Sequence, residues 1–151
     1  GYGRSDGKRR LQAITGDYQE IFHALRNDHQ GRALLYGISF GGIVMMNLIG
    51  SELKFDRAVI DSAPSRLSPF GCPLRFDPVM HLPDNASNIL IITGGRDKVV
   101  TPSMSRELVE QAILHGGEVE VQKHYAHPFR DKTIELYYSR IRRIKEFLFQ
   151  E

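Results

Sequence analysis

Four apolar residues, Ala33 to Tyr36, lead into Gly37-Ile38-Ser39-Phe40-Gly41-Gly42 and then, with no linker, into Ile43 to Ile49. A short continuous apolar run is what a strand covered on both faces requires. In the second run Ile43, Val44, Met45, Met46, Leu48 and Ile49 leave almost no polar face, so a helix over Phe40 to Ile49 must be buried. The turn between them is G-x-S-x-G. A serine held in such a turn projects its hydroxyl above the sheet, and the glycines on either side let neighbouring backbone come close. The helix aims its first amides at the same point, where they can hold an oxyanion. A glycine-rich turn that only packs a helix on a strand has a similar composition, but the flanking strand and helix favour the chemical reading.

The rest of the chain alternates in the same way. Tyr18, Ile21, Phe22 and Leu25 repeat at helical spacing, and Asp17 with Glu20 reads as a capping box, which predicts a helix from Asp17 to Arg26. Ala58 to Ile60 is the second strand, ending at Asp61. From Pro64 to Ser87 all period is lost, with prolines at 69, 73, 78 and 83, as in an excursion over the surface. Ile89 to Ile92 is a third strand. Thr101 and Pro102 then read as the cap and first residue of a helix ending at Gly116. Val119 and Val121 alternate with Glu118, Glu120 and Gln122, as in an edge strand with one wet face. The last helix is expected to turn Ile134, Tyr137, Tyr138, Ile141, Ile144 and Leu148 inward and to keep Arg140, Arg142, Arg143 and Lys145 mostly outside. Strands alternating with helices predict an α/β fold, a parallel sheet with helices on both faces.

A serine needs a base, and the base an orienting carboxylate. Asp97, in Gly94-Gly95-Arg96-Asp97-Lys98-Val99-Val100, follows the third strand and so falls at the sheet edge that carries Ser39, where open α/β sheets place their sites. Asp61, ending the preceding strand, is its competitor. After the fourth strand comes Lys123-His124-Tyr125-Ala126-His127-Pro128-Phe129. His124 continues the strand, whereas His127 lies in the loop before the last helix and can reach both partners, so His127 is the expected base. His23, His29, His81 and His115 lie away from this edge and read as solvated.

Ser39, Asp97 and His127, in the order nucleophile, acid, histidine at the ends of successive strands, resemble the α/β hydrolase fold family. Gly1-Tyr2-Gly3-Arg4-Ser5-Asp6-Gly7 is similar to the glycine-rich loop found there ahead of the nucleophile, and residues 94–100 are similar to its acid loop. The resemblance covers nearly the whole chain and implies a serine hydrolase of carboxylic esters or similar acyl compounds, EC 3.1.1. Ser39, Asp97 and His127 would be catalytic and the Phe40 backbone amide an oxyanion donor, with no metal and no cofactor. A peptidase or thioesterase of the same fold, or a non-catalytic fragment acting as an interaction module, are the alternatives. Two departures stand out. Ala126 precedes His127 where the family commonly has glycine, and the family's first strands, with the loop donating a second oxyanion amide, have no counterpart here. The resemblance therefore implies a single hydrolase-like domain over residues 1–151, truncated at its N-terminus, with 64–87 as a short lid or a replacement for a cap.

The partner that the resemblance implies is a small-molecule acyl substrate, and composition argues against other classes of partner. Twenty Lys and Arg against eighteen Asp and Glu give a formal charge of +2, too small and too evenly spread for a nucleic-acid footprint. The chain is 41% apolar without a run that could span a bilayer, and Cys72 is its only cysteine, so neither a membrane span nor a disulfide framework is expected. The basic, glycine-rich first ten residues are unlike a signal peptide, which points to the cytoplasm, although the chain has no initiator Met and the compartment stays open. An unpaired edge on the strand at Ala33 to Tyr36 is expected to drive self-association.

Overall fold

The computed structural model describes residues 4, 6–7, 10–51 and 53–150, so the glycine-rich residues 1–7 lie largely outside the described residues. The elements are α1 (Leu11–Asp28), β1 (Leu34–Ile38), α2 (Phe40–Ile49), β2 (Arg57–Asp61), three 3₁₀ turns (Ser68–Phe70, Leu74–Phe76, Pro78–His81), β3 (Ile89–Gly94), α3 (Pro102–Leu114), β4 (Glu118–Gln122) and α4 (Ile134–Phe149). The four strands form one sheet in the order β1-β2-β3-β4. All three pairings are parallel, with Leu34 opposite Arg57, Val59 opposite Leu90 and Ile91 opposite Val119. Every strand therefore ends on the same edge.

Side-chain alternation divides the core in two. Ala58, Ile60, Ile89 and Ile91 pack beneath α2 and α3 with Met46, Leu48, Leu108 and Ala112. Val59, Leu90 and Ile92 face Ile144, Phe147 and Leu148 of α4 on the other side. Helices cover both faces, and all of β3 is buried, as its unbroken apolar run predicts. No helix among the described residues is long and apolar enough to cross a membrane.

Several elements differ from the sequence reading. Helix α1 starts at Leu11 rather than Asp17 and has no side-chain cap at Arg10, so the Asp17–Glu20 box is mid-helix. Leu11 and Ile14 pack on the core together with Phe22, and that burial, not a cap, sets where the helix begins. Thr101 likewise makes no capping bond to α3, and its hydroxyl meets that of Ser103 at 2.9 Å. In β4 the wet and dry faces are not as expected. Val119 packs on the core, Val121 is exposed, and Arg143 of α4 holds Glu118 and Glu120.

Helix α4 is rotated from the expected orientation. Ile134 and Tyr138 are exposed, while Arg140 is 2% exposed, deep under the sheet edge. The 64–87 excursion is ordered around Asp77, whose buried carboxylate accepts from the amides of Leu67 (2.7 Å) and Ser68 (2.8 Å) and from the Ser68 hydroxyl (2.7 Å). Arg66 pairs with the same carboxylate at 3.3 Å and also with Glu107 of α3, tying the segment to the body. His23 and His29 are exposed as expected. His81 and His115 are instead half-buried, bonded through ring nitrogens to the carbonyls of Arg75 (2.8 Å) and Pro83 (3.0 Å).

Candidate active site

Ser39 occupies the turn between β1 and α2 with φ 53° and ψ −116°. A left-handed φ is costly for a serine and persists only where its surroundings hold it. They do so here. The Ser39 amide donates to the Asp61 carbonyl at 2.8 Å and its carbonyl accepts from Ile43 at 3.2 Å, which ties the turn to β2 and to the helix. Gly37 has no room for a side chain, since a Cβ there would lie 2.5 Å from the Gly41 carbonyl oxygen. Ser62, after β2, and Phe129, after β4, are the other non-glycine residues with positive φ among those described. All three follow the C-terminal ends of strands, and strained backbone of this kind makes that edge of the sheet a candidate for a site.

The loops after β3 and β4 meet at this edge. The Gly95 amide donates to the Gln122 carbonyl at 3.0 Å and the Arg96 amide to the Tyr125 carbonyl at 2.9 Å. The contact is close enough that a Cβ on Gly94 would fall 2.4 Å from the Tyr125 oxygen, which accounts for a glycine at the end of β3. The carboxylate of Asp97, fully buried, is held at both oxygens. Oδ1 accepts from the amides of Val99 (2.8 Å) and Val100 (2.9 Å), and Oδ2 lies 2.8 Å from Nδ1 of His127. The His127 side chain keeps 14% of its surface exposed, and it lines a cleft open to solvent. The structure thus brings Asp97 and His127 together. It does not join His127 to Ser39, whose hydroxyl makes no hydrogen bond to a described residue, although such bonds are often long before a substrate binds. Phe40 follows Ser39 as the first residue of α2. His124 is exposed in the turn beyond β4.

Asp61 is placed elsewhere. Its fully buried carboxylate receives Nη1 of Arg140 at 2.6 Å, the Ser62 hydroxyl at 3.0 Å and the Tyr36 hydroxyl at 3.4 Å. Burial pushes this carboxyl above the usual range, against the pull of Arg140 and the hydrogen bonds. Burial, and then the charge of Asp61, also push the Tyr36 hydroxyl up, so it stays protonated and donates. Arg140 reaches further. Its Nη2 donates to the Ala126 carbonyl at 2.7 Å and its Nε to Asp131 at 3.3 Å, while its guanidinium lies 4.2 Å from the centre of the Tyr125 ring. Asp131 in turn accepts from the Ala126 amide at 2.7 Å. Both backbone groups of the residue before His127 are therefore fixed, which sets where the imidazole sits. The sequence reading missed Arg140 and Asp131. The signal was spacing, because Arg140 falls on the same helical stripe as Tyr137 and Ile144.

No protein-family model matches the chain, and no curated protein matches it in sequence. Solved structures do. A serine hydrolase without a lid from Xanthomonas campestris aligns with TM-score 0.71 and 18% identity over 99% of this chain. An esterase from Pyrococcus furiosus aligns with TM-score 0.69 and 20% identity over 98% of it. A prolyl endopeptidase aligns with TM-score 0.70 and 14% identity over 91% of it. The chain spans 64% of the first protein, 68% of the second and 26% of the third.

Proposed function

We propose that this chain, which has the fold of the α/β hydrolases, carries the nucleophile, base and acid of a serine hydrolase acting on carboxylic esters or similar acyl compounds. The observation that carries the reading is the 2.8 Å contact of His127 with a buried, doubly held Asp97, on the sheet edge where Ser39 is kept in a strained turn. In the reaction Ser39 Oγ attacks the carbonyl carbon while His127 Nε2 takes its proton. The oxyanion is stabilised at the head of α2, with the Phe40 amide as donor. The C–O bond to the alcohol breaks, His127 returns the proton to the leaving oxygen, and water releases the acid from Ser39 by the same steps in reverse order. Asp97 fixes the imidazole tautomer and balances the imidazolium. The chemistry uses no metal and no organic cofactor.

A second reading, a non-catalytic module that keeps these residues, is favoured by the missing hydrogen bond between Ser39 and His127. A fluorophosphonate probe separates the two. The first reading expects covalent labelling that maps to Ser39, disappears in Ser39→Ala, and parallels hydrolysis of a nitrophenyl ester. An unlabelled chain, or an alanine variant as active as the parent, overturns it.

A further inference from the structure

Beside the Asp97–His127 pair lies an open cleft of about 530 Å³ whose remaining charged lining is all positive: Arg96, Lys98, Arg130 and Lys132. All four are exposed, and none pairs with a carboxylate among the described residues. The lone carboxylate of the cleft, Asp97, is turned to His127 and to two amides, so it neutralises none of them. The nearby Asp131 is likewise taken, by Arg140 and the Ala126 amide. In a chain of formal charge +2, four uncompensated cations around one concavity concentrate positive potential where the base sits. Two are arginines, whose planar fork suits a two-oxygen anion, and two are lysines, which act as mobile point charges. The cleft is large enough for a small organic molecule rather than only a bare ion.

We propose that this cleft binds the anionic end of the substrate, so that the preferred esters carry a carboxylate or phosphate group on the acyl or the alcohol part. The proposal rests on the hydrolase reading of Ser39, Asp97 and His127. It deepens that reading by giving the substrate a charge. The cations act on binding and approach, so they show in KM and in salt dependence.

The test compares three esters at low and high salt: neutral 4-nitrophenyl acetate, the mono-4-nitrophenyl ester of succinic acid, and an aryl acetate with phosphate on its ring. The expected result is a kcat/KM preference for at least one anionic ester, fading with salt. That preference should fall about tenfold in Lys98→Glu/Arg130→Glu, since each lost exposed pair is worth a few-fold. The charged esters also tell which anion and which end of the substrate the cleft holds. Lys98→Gln/Arg130→Gln stands in if the reversal does not fold. No preference in the parent, or one that survives both variants, overturns the proposal. Calorimetry with inorganic phosphate is read alongside. If no ester is cleaved but phosphate binds the parent and not the variant, the anion cleft stands while the hydrolase reading fails. No hydrolysis and no phosphate binding sinks both.

Discussion

His127 and His124 share one loop, yet His127 is the one that meets a carboxylate, and reach of this kind decides which imidazole can act as base. His127→Ala should lower ester hydrolysis about 10⁴-fold or more, because the members of such a triad act as a unit. His124→Ala should leave it near the parental rate, and the reverse pattern would move the role to His124. Asp97 and Asp61 separate by what each loses. Asp97→Asn should cost about 10⁴-fold in rate by disturbing the imidazole tautomer while barely moving the melting temperature. Asp61→Asn removes the charge facing buried Arg140 and should cost about 3–5 kcal/mol of stability. Rates and melting curves of the two variants decide the matter, and a greater rate loss in Asp61→Asn would overturn the choice of Asp97.

Among the elements, the excursion between β2 and β3 is held to the body by several backbone bonds, and its turn at Leu67 and Ser68 is gathered on one carboxylate, that of Asp77. Burial by itself would raise the Asp77 pKa, but the Ser68 hydroxyl, the amides of Leu67 and Ser68, and Arg66 outweigh it and hold it below the usual range. A depressed carboxylate stabilises fully above its unfolded pKa, about 3.9, and loses that contribution as pH falls through the folded value. Limited proteolysis of residues 64–87 should therefore accelerate below about pH 4 in the parent, whereas Asp77→Asn should already be looser at neutral pH and show less of that acid step. An unchanged acid step in the variant would mean that another group governs the segment. The order of elements was legible in the chain because β1, β2 and β3 each carry a short apolar run, ended by Gly37, Asp61 and Gly94 in turn. The acid loop was legible because it follows such a run directly, and the histidine loop because it follows the alternating Val119 and Val121 of β4. What could not be read depends on contacts between distant segments. The start of α1 is set by packing on α2, and an inward Arg140 makes sense only once Asp61, Ala126 and Asp131 are known to face it.

For the molecule as a whole, β1 is the exposed flank. Among the described residues it pairs with β2 on one side only, and beside it lies a groove of about 530 Å³ lined by Tyr18, Ile21, Leu25 and Leu34. Unpaired backbone next to half-exposed apolar side chains is a template for another strand, and a second copy of β1 can supply it. Sedimentation velocity should show a dimer or larger species that dissociates when Ile21 and Leu25 are both changed to Lys, and a monodisperse monomer at high concentration would refute this. The remaining consequence concerns time. Strands adjacent in the sheet are also successive in the chain, so the sheet can grow by closing one moderate loop after another. The bond from Arg140 to Asp61 joins residues 79 apart, and nothing rewards that closure until the strands between them are in place. The shape of the histidine loop is therefore expected late in folding. Refolding chains should recover secondary structure before they recover the site, and weakening the Arg140 contacts should hasten unfolding more than it slows folding.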